Sequence, residues 1–265
     1  MAGGSRGPAF WGQLAFTLLV CLMLVSPIVL SLLAGVTQNY FVGIRSGVTL
    51  RWVEEVLRTY SGTILLSVQI AFACLACTLL LGVPAAYVLS RHQGRATRLV
   101  EELLVMPVAI PGLATALALI ITYGGFGDFR RSWLFILVGH VLFTLPFMVR
   151  AVLAVMNSVD LATLEEGAAS LGAGFVRRFF GVVLPNCMPG ILAGSLMVVT
   201  LSIGEFNLTW LLHTPLGKTL PVGLADAYAS LRIEIGSAYT LIFFVIIIPC
   251  LVLMQAVARR GAGSK

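Results

Sequence analysis

Six long apolar stretches separated by shorter polar ones run along the 265-residue chain, at 10–34, 61–89, 99–123, 133–155, 187–212 and 237–257. Each holds about 20 or more mostly apolar residues, the length that carries a helix across roughly 30 Å of hydrocarbon. Backbone N–H and C=O groups find no water partners there, so such runs are expected to be helices rather than strands. The pattern predicts an all-α integral membrane protein, with a six-helix transmembrane domain over residues 10–258 and short tails at 1–9 and 259–265. A basic residue, Arg6, precedes the first run as it would in a signal peptide. The apolar stretch is longer than the roughly 7 to 15 residues of such leaders and no small-x-small cleavage site follows, so it reads as a retained anchor helix.

The longest polar interruption, 156–186, separates the fourth and fifth runs and carries "LEEGAASLGAGFVRRFFGVVLP". Asp160 is placed to cap a helix beginning near Leu161, with Thr163 and Glu166 as an alternative capping box and Gly172 as the stop. Leu161, Leu164, Ala168 and Leu171 fall at helical spacing and form one apolar stripe, while Glu165 and Glu166 lie near the amino end, where acids suit the helix dipole. Such a stripe has to rest on the membrane surface, on the protein's own helix ends or on a soluble partner. Beyond it, Arg177 and Arg178 are set to reach headgroups or a partner, and Pro185 is expected to bias Leu184 away from the helical region and set the angle of the fifth span. On the opposite side, "LRWVEEVLRTY" is expected to form an amphipathic surface helix with Trp52 as interface anchor. The segment 213–240 reads as a cap over a path, a docking segment or a solvated connection.

Composition adds that 59% of residues are hydrophobic and 11% charged, against about 25% charged in soluble domains. Lys and Arg then orient the spans. With both termini inside, ten of the 17 fall on the inner side and seven on the outer, and the short loop "SRHQGRATR" holds three arginines and no acid. This places the termini and the 156–186 loop in the cytoplasm. The net charge of +6 follows from that asymmetry, without a basic face for nucleic acid. Cys21, Cys74, Cys77, Cys187 and Cys250 fall in or at the ends of spans and behave as small apolar residues, not as metal ligands.

Within the spans, Pro27, Pro84, Pro107, Pro111, Pro146 and Pro249 are expected to kink helices whose freed carbonyls neighbours re-satisfy. Glu205 in "LSIGEFNLTW" is the sole acid well inside a span. An ionised acid at that depth costs about 2.5 to 3.5 kcal/mol on insertion scales. It reads either as part of a translocation path, with Asn207 and Gln69 as weaker candidates, or as a structural acid bonded to Asn207, Thr200 or a neighbouring helix. No nucleophile–base pair, metal cluster or phosphate-cradling loop is present, and the loops are too short for a nucleotide-binding domain. The chain carries no catalytic site and binds no cofactor of its own, so any motor is another chain.

The loop resembles the signature of permease subunits in binding-protein-dependent ABC importers, in which Glu-Ala-Ala is followed by three residues, Gly, nine residues and Ile-x-Leu-Pro. Here Glu166, Gly167 and Ala168 take the triplet, Gly172 the glycine, and Val182, Val183, Leu184 and Pro185 the ending. Gly167 replaces Ala and Val182 replaces Ile, the first loosening the helix by up to about 1 kcal/mol. The resemblance implies a coupling helix that seats in a groove of a partner ATPase, through Leu161, Leu164, Glu165, Glu166, Gly167, Ala168, Ala169, Leu171 and Gly172, with Leu184 and Pro185 closing the motif. It further implies two ATPase subunits holding ATP and Mg, a second permease subunit forming a heterodimer, an extracytoplasmic solute-binding protein and contact with membrane lipids. "VTLRWVEEVL", "MPVAIPGLATALAL", "LPFMVRAV" and "SIGEFNLTWLL" are similar to the permeases that serve polyamines, 2-aminoethylphosphonate and iron. The outer segment looks most like the 2-aminoethylphosphonate type. An ion-coupled transporter working through Glu205, or a scaffold without transport, are the rival readings.

Overall fold

The computed structural model describes residues 7–92, 94–215 and 217–262, the side chains of Pro8 and of 257–262 excepted. Residues 1–6 and 263–265 of the expected tails, with Arg6 and Lys265, lie outside the described residues. The helices are α1 (Pro8–Ala34), α2 (Arg51–Thr59), α3 (Ser61–Arg91), α4 (Arg95–Ala109), α5 (Gly112–Tyr123), α6 (Gly127–Arg131), α7 (Trp133–Ser158), α8 (Leu161–Ser170), α9 (Phe175–Arg178), α10 (Leu184–Ile203), α11 (Asn207–Leu212), α12 (Leu220–Ala229) and α13 (Ile233–Ala262). A 3-10 turn at Gly43–Ser46 follows α1, and a π-turn at Phe179–Val183 joins α9 to α10. Among the described residues, β pairing is limited to one isolated bridge between Thr37 and Val48, as an all-α chain requires.

Among the described residues, five helical runs are long and apolar enough to cross a membrane singly: α1, α3, α7, α9 through α10, and α13. The sixth is not the single kinked helix that 99–123 led us to expect. It is the pair α4 and α5, bent by 103°. Pro111 is the reason. Ahead of its ring, Ile110 takes an extended conformation (φ −88°, ψ 134°), and Pro111 becomes the first residue before α5 instead of a kink within a helix. Pro27, Pro84, Pro107, Pro146 and Pro249 do lie inside helices.

The fifth expected span, 187–212, is shifted. Helical backbone runs from Phe175 to Ile203, stops at Gly204–Phe206 and resumes as α11. Pro185 does not divert the chain, and Leu184 is helical (φ −58°, ψ −47°). The proline stands in the first turn of α10, where its fixed φ suits a helix and its missing N–H removes no bond that the π-turn has not already interrupted. Asn186 donates its side-chain amide to the Val182 carbonyl (2.7 Å), satisfying one acceptor that the irregular turn exposes.

The described residues form two compact units, one from those up to Tyr60 with Leu224–Phe244, the other from those between Ser61 and Gly223 with those from Val245 onward. In the second, α7 is the central helix, packed by α3 and α10, which also pack against each other. Phe135, Ile136, Met148, Val149 and Val152 of α7 are buried, with Ile70, Cys74 and Val83 from α3 and Cys187, Ile191 and Val198 from α10. Contact between membrane helices depends on close backbone approach. Gly190 supplies it, since a Cβ there would stand 2.6 Å from the Ala151 carbonyl oxygen of α7.

In the first unit α2, expected to lie along the outer surface, interlocks with residues of the 213–240 segment. Arg232 donates to Glu55 of α2 (2.6 Å) and to the Tyr60 hydroxyl (2.9 Å), and Tyr40 donates its N–H to Glu234 (3.0 Å). Trp52 gives its indole N–H to the Thr37 carbonyl (2.9 Å), so its polar edge is used inside the protein. Gly35 abuts the Ser237–Ala238 backbone.

Candidate functional site

Helix α8 forms where the sequence places it. Asp160 is its cap, accepting the Thr163 N–H (3.2 Å) and hydroxyl (2.6 Å), and the Thr163 hydroxyl then backbone bonds hold the Asp160 carboxyl below the usual carboxylate range. Gly172 stops it in the left-handed region (φ +81°), with the Gly172 N–H on the Ala169 carbonyl and the Ala173 N–H on the Ala168 carbonyl. These two bonds make the double-bonded helix end that a left-handed glycine permits. Gly167 is different, because a Cβ there would meet nothing within 4 Å. We expect Gly167→Ala to firm α8 by about 0.5 to 1 kcal/mol and Gly172→Ala to weaken it by about 1 to 2 kcal/mol. Amide exchange across residues 161–173 checks both, and equal protection in the two variants would contradict them.

The predicted apolar stripe is not one covered face. Leu161 and Glu165 are buried, at 5% and 3% exposure, and Ala168 is half-buried, whereas Leu164 is exposed and Leu171 is 88% exposed. Glu165 lies one turn from Leu161 and so shares its side of the helix. Burying that carboxylate fixes the rotation of α8, turning Leu164, Glu166, Gly167 and Ala169 outward.

The counter-charge comes from the end of α3. Arg91 pairs with Glu165, the Tyr87 hydroxyl donates to Glu165 Oε1 (2.9 Å), and the Arg91 guanidinium lies over the Tyr87 ring. Tyr87 packs edge-on against Phe179 and Phe175, the residues that lead from α8 back into the membrane helix. A buried acid is tolerated when paired and hydrogen-bonded, and both conditions hold here. Sequence reasoning passed over this socket. Arg91 counted only toward orientation, and the available signal was that Tyr87 and Arg91 stand four residues apart on one helix face. Of the residues closing the loop motif, Leu184 is half-buried and Pro185 exposed.

Glu205 lies in the break between α10 and α11, not within a span. Its Oε1 accepts the Leu208 N–H (2.8 Å), and its Oε2 accepts the Thr209 N–H (2.9 Å) and hydroxyl (2.8 Å). The two N–H groups belong to the first turn of α11, where no carbonyl of that helix serves them. Asn207 and Gln69, the other candidates, are exposed and take no part in these bonds. The break adjoins the other broken span, since a Cβ on Gly112 at the start of α5 would lie 3.2 Å from Asn207 Cβ and 3.8 Å from Glu205 Oε1.

A family model described as binding-protein-dependent transport system inner membrane component matches residues 78–262. The molybdenum transport system permease protein of Mycobacterium bovis is 28% identical over 215 residues, covering 76% of this chain and 80% of that one. A putative 2-aminoethylphosphonate transport system permease protein of Salmonella typhimurium is 26% identical over 259 residues, 96% of both chains. The crystal structure of a bacterial ABC transporter involved in alginate import superimposes with a TM-score of 0.73 at 15% identity, over 97% of this chain and 96% of that one, which establishes likeness of fold.

Proposed function

The chain belongs to the family of binding-protein-dependent transport system inner membrane components, and from that premise we propose how it divides the work of import between α8 and the paired helix breaks. It is a permease subunit of an ABC importer, a membrane subunit like its relatives and not an ATPase. The outward side of α8, with Leu164, Glu166, Gly167, Ala169 and Leu171, seats in the cytoplasmic ATPase. Leu161 and Glu165 hold the helix to its own permease, and Gly172, Leu184 and Pro185 shape the return to the membrane. The observation that carries this reading is the split of α8 into a face tied to α3 through Glu165, Arg91 and Tyr87 and a face of mixed apolar and acidic side chains with no cover. Push on one face then reaches a membrane helix through the other.

Two ATPase subunits, a second permease in a heterodimer and an extracytoplasmic binding protein complete the assembly, with both termini and α8 cytoplasmic in the inner membrane. Solute passes by the adjoining breaks at Ile110–Pro111 and Gly204–Phe206, because interrupted helices persist in membranes only where protein or a water-lined cavity serves their backbone groups. The favoured solute is 2-aminoethylphosphonate or a polyamine. End-to-end similarity to a permease named for the first supports that class, and the molybdenum permease, matched over less of the chain, marks the competing oxyanion class.

Glu166→Lys is expected to leave the permease in the membrane at normal levels while ATPase co-purification and uptake both fall about tenfold, the scale of an interfacial charge reversal. Unchanged association and uptake would refute the seating of α8. Uptake of labelled 2-aminoethylphosphonate and putrescine by cells carrying the whole transporter, competed with molybdate, tests the solute. Competition by molybdate alone would overturn the favoured class.

A further inference from the structure

Beyond the acid at the helix break lies a buried polar chain that the transport reading leaves unused. His140, about two turns into α7 and 1% exposed, has both ring nitrogens engaged. Nδ1 is 2.8 Å from the Ser202 hydroxyl of α10, and Nε2 is 2.8 Å from the Thr209 hydroxyl of α11. The Thr209 hydroxyl in turn donates to Glu205 Oε2 (2.8 Å), while His140 Nε2 stands 3.9 Å from that oxygen, too far for a direct bond.

A hydroxyl has one hydrogen. Thr209 gives its hydrogen to Glu205, so toward His140 it acts as acceptor, and Nε2 must carry the ring proton. Nδ1 is then the acceptor, filled by the Ser202 hydroxyl. Every donor in the row points the same way: Ser202 to His140, His140 to Thr209, Thr209 to Glu205. Hydrogen bonds aligned in this sense polarise one another in a low-dielectric interior, and the row ends on the carboxylate that caps α11.

We propose that His140 is a positioning residue: as the Nε2–H tautomer it fixes the Thr209 hydroxyl on Glu205 and thereby holds the break between α10 and α11 in register with α7. It touches neither solute nor ATPase and acts through Glu205. The row crosses the helices that must shift relative to one another if the breaks open, so it sets the closed arrangement from which transport starts. That functional half rests on the import reading, while the tautomer does not.

The test has two arms. In the permease labelled with 15N-histidine and held in lipid nanodiscs, with His92 and His213 assigned by His92→Gln and His213→Gln, His140 is expected to show a protonated Nε2 and a bare Nδ1. A proton on Nδ1, or on both nitrogens at neutral pH, would overturn the proposal whatever the transport result. In the assembled transporter with 2-aminoethylphosphonate as probe, Thr209→Val, which removes the hydroxyl with little change of shape, is expected to lower uptake about tenfold. It should also abolish the tautomer preference of His140, whereas Thr209→Ser restores both. Wild-type uptake in Thr209→Val, or a tautomer unmoved by it, would likewise overturn the role. A wild-type complex that takes up no probe would sink the choice of solute but leave the spectroscopic arm to decide this one.

Discussion

Arg91→Glu is expected to abolish uptake and release the ATPase while the protein still inserts in the membrane. Glu165 is almost fully buried and takes its counter-charge from Arg91, whose side chain keeps 28% of its exposure. Removing one partner of such a pair leaves a carboxylate with no compensation, at a cost of about 3 kcal/mol, the low end of the range because part of the site meets solvent. A second carboxylate in the same socket adds repulsion. Helix α8 then loses the anchor that sets its rotation, and Glu166 and Leu164 no longer present one fixed face. Introducing Glu165→Arg into the Arg91→Glu protein should recover part of the uptake, which simple loss of fold would not allow. Tyr87→Phe should cost less, about 1.5 to 3 kcal/mol for one hydrogen bond to a charged group. Uptake and co-purification of the ATPase measure all of these, and normal values for Arg91→Glu would show that the joint transmits nothing.

Glu205→Ala is the second large expectation. It frees the N–H groups of Leu208 and Thr209 and the Thr209 hydroxyl together. Loss of a helix cap with unsatisfied donors costs about 2 to 4 kcal/mol. The break should loosen, with lower thermal stability in nanodiscs and little uptake. Glu205→Gln keeps one acceptor oxygen and should fall between the two. The ranking is diagnostic. Were Glu205 a proton relay in an ion-coupled carrier, Gln and Ala would fail alike and stability would hold, whereas a cap predicts graded loss of both.

Much of the architecture was legible because the bilayer imposes length and apolarity on every span, and α8 because its cap, its acids and its stopping glycine are local signals. What stayed hidden was non-local. The 103° turn at Ile110–Pro111 looks in sequence like any proline kink, since six other span prolines are absorbed within helices. Nor does local pattern reveal that a π-turn already interrupts the regular helical bonding before Pro185, so that the proline sits in a continuing helix.

The residues of the site divide in the same way. Glu166 and Gly172 were readable from spacing, because a helix of fixed pitch that ends on a left-handed glycine has one geometry wherever it sits. The inward turn of Glu165 was not, since it depends on Arg91 and Tyr87 from a helix some seventy residues earlier, 165 less 91 being 74. His140 passed unnoticed for a related reason. A lone histidine in an apolar run has meaning only beside Ser202 and Thr209, which packing alone brings to its two nitrogens. Sequence by itself determined that this chain lives in a membrane and carries a capped helix in the long loop before its fifth span, because hydrophobicity and helical pitch are local. Tertiary structure decided which face of that helix is held, and what keeps a buried acid in place, because a charge in low dielectric is settled by its partners.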